Sequence, residues 1–218
     1  MANDTEATIL ARSTELFGES GFDGVSIRDI AEAVGVTLGA IYHYFPNKQA
    51  LYDEVVRNAF YFMTEKMVAA TRLAGTPHER LRAFVRTLVK VLSSQGPQMR
   101  IVDREIFEAR GAVSSLAVDA FLRPHDALAT VVAEINPNAP VDEFTERLIA
   151  TIYGSVKLRT IRTRLSKVPR LHEPALLARS IAESALQSLL AYVPQAMESA
   201  PVELAPAPAK RRRGEVLA

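Results

Sequence analysis

Apolar residues recur at intervals of three and four along most of the chain, and no stretch alternates with period two between turn residues, so the pattern predicts helices throughout and an all-α fold. The first helix is expected to take Asn3 or Asp4 as its cap, to bury Ile9, Leu10, Leu16 and Phe17 along one stripe, and to stop at Gly21, after which Phe22 and Val25 pin the turn. A second helix begins at Ser26, whose hydroxyl can cap while Asp29 answers it, and buries Ile27, Ile30, Ala31 and Val34 before Gly35 ends it. Only Val36 then precedes Thr37, a new cap, for a third helix placed over Thr37 to Phe45. Two short helices meeting across so tight a turn form a helix-turn-helix.

Asn47 caps the next segment, which reads as one long helix, 47–72, connecting a small N-terminal domain (1–46) to a larger one (47–195). Pro77 and Pro97 occupy first-turn positions, and Pro124, Pro137, Pro140, Pro169 and Pro174 punctuate the remainder of the chain. Residues 76–195 are expected to hold about five helices, two of them around 141–165 and 174–193, for about nine in the whole chain. The tail, 196–218, is rich in alanine and proline, ends in a basic run at Lys210 to Arg213, and reads as an unstructured appendage.

Composition narrows the chemistry. The 218 residues, 48% hydrophobic and 23% charged, suffice to bury a core. No apolar run approaches the ~20 residues of a membrane span, and the N-terminus lacks the pattern of a signal peptide, so a cytoplasmic protein with no membrane partner is expected. The absence of cysteine removes disulfides, thiolate metal sites and cysteine nucleophiles. His43, His78, His125 and His172 are scattered, without H-E-x-x-H, a G-x-S-x-G elbow or a phosphate-binding glycine loop; neither an enzyme, a metal site nor a cofactor is expected. Net charge is +1 and says little, but residues 1–60 hold nine acids against four bases. If this end binds nucleic acid, bulk charge is not the cause.

The stretch "GVTLGAIYHYFPNK", Gly35 to Lys48, carries four consecutive rings. On a helix, Ile41 and Phe45 share the core face, whereas Tyr42, His43 and Tyr44 sweep across the remainder, too many for a three-helix unit to bury. An exposed tyrosine offers a flat ring and a hydroxyl, groups suited to a phosphate backbone or the base edges of a major groove.

On these residues, "SIRDIAEAVGVTLGAIYHYFPNKQALYDEVV" resembles the DNA-binding region of the TetR family of transcriptional repressors, over roughly residues 5–56. The resemblance implies a double-stranded DNA operator as partner. Thr37 and Tyr42 would touch phosphates or base edges, Tyr44 the backbone, and Lys48 a phosphate; Arg28 would read a base or clamp a phosphate. Leu38 and Gly39 would lie nearest the groove floor; many relatives carry lysine or a polar residue there, and this chain's departure, a leucine and a bare backbone, points to apolar contact with a thymine methyl. His43 is placed among the contacts, with surface packing as the equal alternative.

The resemblance also implies a homodimer and a small-molecule effector in the C-terminal helices. Apolar residues on more than one face of the last two helices fit a four-helix seam, with Ile149, Ile152, Val156, Ile181, Ala185 and Leu189 as its candidates. Pocket candidates are Phe60, Met63, Met67, Phe84, Leu88, Arg104, Phe121, His125 and Tyr153, with core packing the stronger reading for the methionine and phenylalanine stripe. Such a chamber prefers a hydrophobic effector held by few polar groups. An acyl-CoA is the alternative, its phosphates meeting Arg159 or Arg162 in the acid-free stretch Lys157 to Arg170. The function implied is a ligand-released repressor; a dual activator and repressor, or an architectural DNA-binding protein without ligand, are the rivals.

Overall fold

The structure, a computed structural model, describes residues 2–107, 115–158 and 173–193. These form nine helices: α1 (Ala2–Ser20), α2 (Ile27–Val34), α3 (Leu38–Tyr44), α4 (Lys48–Thr71), α5 (Pro77–Leu92), α6 (Pro97–Phe107), α7 (Ser115–Ile135), α8 (Val141–Lys157) and α9 (Pro174–Leu190). The architecture is an N-terminal helix-turn-helix unit followed by a larger helical part. The basic tail, Pro169, His172, Arg159 and Arg162 lie outside the described residues.

Local chemistry sets the first three boundaries. Gly21 leaves α1 with φ of +74°, its N–H donating to the Phe17 carbonyl at 2.9 Å. Ser26 and Asp29 form a reciprocal capping box on α2, and Gly35, at φ 76°, closes that helix in the left-handed region, where an alanine would be strained. Thr37 accepts from the Ala40 N–H to cap α3, and Asn47 accepts from Ala50 to cap α4.

Four boundaries differ from those the sequence predicts. α1 starts at Ala2, so Asp4 is not a cap but a first-turn acid, favourable against the helix dipole. Phe45 is not helical: it is extended (φ −129°, ψ 113°) because Pro46 follows it and disfavours the α conformation before it. Pro124 does not break the chain but lies inside α7, where burial of Leu128, Val131 and Val132 beyond it outweighs one missing N–H donor. α8 closes at Lys157 rather than near 165, with the Leu158 N–H returning to the Gly154 carbonyl, and α9 closes at Leu190, leaving Val193 exposed.

One continuous apolar core runs from Phe17 and Ile41 at the helix-turn-helix end to Ile152 and Leu189 at the other. α4 is its axis. It packs against α1, α5, α6 and α7, so apolar residues surround much of its circumference instead of forming one stripe. α9 lies along α5, joined at the surface by a two-pronged bond from Arg82 to Glu183 at 2.8 and 3.2 Å.

α6 sits between the two ends of the molecule. A Cβ on Gly18 of α1 would come within 3.0 Å of the Pro97 carbonyl oxygen, so the glycine lets α6 close onto α1. Arg104 reaches over Gly21, Arg100 approaches Glu19 at 3.8 Å, and the Tyr52 hydroxyl donates to Glu105 at 2.8 Å. The far end of the same helix carries Ile106 and Phe107.

Candidate functional site

Four of the expected DNA contacts converge. Arg28 on the outer face of α2, Leu38 and Tyr42 on α3, and Lys48 at the first turn of α4 line one open cleft of about 600 Å³, together with Asp23, Ser26 and Asp29. Tyr42 is 50% exposed and Leu38 is 39% exposed, although neither needs water, while Ile41 is fully buried beneath them. Thr37 and Gly39 are exposed at the start of α3. The Thr37 hydroxyl accepts the Ala40 N–H at 3.2 Å, which leaves its own O–H to donate outward.

Pairing separates the four bases of this end into two kinds. Arg12 and Arg57 are matched to Glu15 and Glu54 within their own helices, whereas Arg28 and Lys48 form no salt bridge among the described residues. The two bases in the cleft are therefore the two left available to a phosphate. Lys48 is held in place by stacking its ammonium 4.2 Å from the centre of the Phe22 ring. Asp29, one of two acids in the cleft, is occupied by the Ser26 backbone N–H at 2.8 Å. That bond, then the Ser26 hydroxyl and the charges of Arg28 and Lys48, hold its carboxyl below the ordinary range. His43 and Tyr44 are not among the residues lining the cleft; their rings meet edge to face at 5.1 Å, with Tyr44 half-buried against the core.

A second concavity, about 600 Å³, opens between α6, α7 and α8. Phe121, His125 and Tyr153 line it as expected. Ile106, Phe107, Glu146, Ala150, Gly154, Lys157 and Leu158 line it too, and so does Ile149, which the sequence assigns to the dimer seam. Phe60, Met63, Met67, Phe84 and Leu88 do not: each is almost wholly buried in the core, one layer behind the wall. The layers touch, since Phe121 meets Phe60 at 6.0 Å and Tyr153 at 5.9 Å, both edge to face. Arg104 is turned toward α1 instead. No sequence signal marks the missed lining residues as a set, because they converge from three helices. Gly154, an unexplained glycine inside a helical pattern, is the one usable hint.

Two of the polar side chains around this pocket, Tyr153 and Lys157, are engaged behind its surface. The Tyr153 hydroxyl donates to the Met63 sulfur at 3.5 Å, and burial, with the Asp103 charge added, pushes its phenol well up, so it stays protonated. Lys157 donates to Asp103 at 2.7 Å and to the Leu92 carbonyl at 3.2 Å. His125 has Nδ1 3.3 Å from Asp126, and its Nε2 is buried without a hydrogen-bond partner among the described residues.

Of the remaining seam candidates, Ile152, Val156 and Leu189 are buried within the single chain. Ile181 and Ala185 line a smaller groove of about 280 Å³ between α8 and α9, with Phe144, Arg147, Leu148, Thr151, Ser180, Ser184 and Ser188. Among the described residues no helix is long and apolar enough to cross a membrane, and no three metal-ligating side chains come together.

Comparison with known proteins agrees with this geometry. Residues 9–55 match the family model of the bacterial regulatory proteins of the tetR family, and residues 77–190, more than half the chain, match that of the C-terminal domain of the HTH-type transcriptional dual regulator CecR. The HTH-type transcriptional repressor KstR2 of Mycobacterium tuberculosis is 24% identical over 103 residues, 47% of this chain and 52% of the relative. The repressor KstR of Mycolicibacterium smegmatis is 30% identical over 84 residues, 38% of this chain and 41% of the relative. The chain thus spans about half the length of the curated relatives it matches. Among solved structures, a TetR-family transcriptional regulator from Streptomyces coelicolor superposes with a TM-score of 0.67 at 18% identity, covering 85% of this chain and 90% of the other. FadR from Bacillus subtilis, solved in complex with stearoyl-CoA, superposes with a TM-score of 0.63 at 18% identity, covering 83% and 97%. The helix-turn-helix with its unpaired Arg28 and Lys48, the helical remainder and both family matches lead to one conclusion: the chain belongs to the TetR family of bacterial regulatory proteins.

Proposed function

We propose that this protein is a ligand-responsive transcriptional repressor: it binds a near-palindromic operator as a homodimer and is released by a small hydrophobic effector. The observation that carries the reading is the position of α6. One of its ends, Ile106 and Phe107, walls the apolar pocket, and the rest of the helix is docked on α1 through Pro97, Arg100 and Arg104 and on α4 through Glu105. Anything that displaces the pocket wall therefore acts on the two helices that carry α2 and α3. Two recognition helices on a dimer fit DNA at one separation, about one helical turn of ~34 Å, and a shift in α4 changes it. The effector must prefer the conformation that fits DNA poorly, and each ligand then weakens the other by the same factor.

Arg28, Thr37, Tyr42 and Lys48 make the phosphate and base-edge contacts in this reading, Leu38 faces a thymine methyl, and the α8–α9 surface pairs the two chains. The chain divides at Pro46, with α4 as the connecting rod. Sedimentation with and without an operator duplex tests it. A dimer that binds the two half-sites together is expected; a monomer at micromolar concentration that binds a single half-site tightly overturns the dimeric reading. A compound that raises the melting temperature yet leaves operator affinity unchanged overturns release by ligand.

An acyl-CoA effector is the second reading, favoured by the stearoyl-CoA bound to the Bacillus subtilis relative in fold. Equal affinity for a fatty acid and its CoA thioester, by calorimetry, would exclude it. The match of residues 77–190 to a dual regulator keeps activation at some promoters as a further role.

A further inference from the structure

We infer that the part of the effector lodged between α6, α7 and α8 is plain hydrocarbon without a hydrogen-bonding group, and that Gly154 sets how bulky it can be. The inference rests on reading this pocket as the effector site. Four described side chains on its wall could recognise a polar ligand: Glu146 is exposed, and the other three are committed elsewhere or covered, Tyr153 to the Met63 sulfur, Lys157 to Asp103 and Leu92, and His125 toward Asp126 with its other nitrogen buried. Among the described residues, what otherwise faces the cavity is ring edge and alkyl surface from residues such as Ile106, Phe121 and Ile149. A hydroxyl or carbonyl carried into that space loses its water and finds no free partner among the described residues, so the pocket discriminates against oxygenation within the buried portion. A polar end is tolerated at the mouth, where Glu146 is exposed.

Gly154 supplies the independent observation. It lies inside α8, where glycine weakens a helix relative to alanine, and its φ is not in the left-handed region that requires glycine. A Cβ built there meets nothing within 4 Å, so packing does not demand its absence either. Because the residue lines the pocket, the missing side chain is accounted for by space left to the ligand.

Two positional isomers separate the possibilities. Dodecan-1-ol can leave its hydroxyl at the mouth, whereas dodecan-6-ol must bury it; calorimetry on the full-length protein is expected to show the second binding roughly ten- to a hundredfold more weakly. Gly154→Leu should abolish binding of both alcohols without lowering the melting temperature, and Gly154→Ala should leave dodecan-1-ol the tighter ligand. Equal affinity for the isomers, failure of either to bind the wild-type protein, or full binding retained in Gly154→Leu overturns the inference. Dodecan-1-ol that binds as expected but does not loosen operator DNA refutes release by this ligand and leaves the pocket chemistry standing.

Discussion

The cleft on α2, α3 and α4 and the pocket between α6, α7 and α8 have nearly the same volume, about 600 Å³ each, and opposite construction. At the cleft Ile30 and Ile41 are turned inward, and Arg28, Lys48 and hydroxyls are left outward beside Leu38. In the pocket Tyr153 and Lys157 are tied behind the wall and mostly apolar surface faces the opening. A partner made of phosphates can offset the desolvation of Arg28 and Lys48; a partner made of hydrocarbon has nothing to offer Tyr153 or Lys157, so both are satisfied within the protein. The two surfaces are thus built for two partners of opposite chemistry. The core residues of α4, notably Phe60 and Tyr52, lie between them.

The largest expected effect is at the layer behind the pocket. Phe60→Ala should cost about 3–5 kcal/mol of stability in denaturant unfolding, because Phe60 is core and not wall; a loss below ~1 kcal/mol would return it to the ligand surface. Next, Tyr42→Ala with Lys48→Ala should lower operator affinity by roughly ten- to a hundredfold and reduce the salt slope of binding by about one, with melting unchanged. An unchanged slope in anisotropy titrations would take Lys48 off the phosphates. Ser26→Ala removes half of the capping box and should cost about 1 kcal/mol, with exchange of amides in α2 rising more than in α8.

The smallest effect is acid sensitivity. The carboxyls of Asp29 and Glu79 are held below their ordinary values, each first by a backbone N–H, of Ser26 and Thr76, and then by the same residue's hydroxyl. Their folded-state values lie under their unfolded ones, so the stabilisation is present above the unfolded values of 3.8 and 4.5 and disappears as pH falls through the folded ones. In an acid titration of melting temperature, Asp29→Asn should flatten the fall below about pH 4; an unaltered profile would show that the box does not titrate with folding.

The same contrast explains what the chain makes readable. Caps at Ser26, Thr37 and Asn47 and stops at Gly21 and Gly35 are local interactions within a few residues, so the helix-turn-helix can be placed from the sequence, as can the rings presented by α3. The pocket cannot. Its wall joins Ile106, Phe121 and Tyr153, whose proximity depends on how three helices pack, and periodicity tells that a face is buried without telling whether a neighbour or a ligand covers it. The pattern therefore offers Met63 and Met67 both as core, the stronger reading and the one their burial agrees with, and as pocket wall, and it draws Ile149 away from the pocket. Pro124 misleads for a related reason, since long-range burial in α7 overrides a local breaker.

That this chain reads one operator through the α2–α4 cleft can be tested by selecting fragments of the source genome with the purified protein and sequencing them, beside the Tyr42→Ala/Lys48→Ala variant. Enrichment of one near-palindromic site that the variant does not retain is the expected result. No enrichment at moderate salt, or equal enrichment by the variant, would contradict it.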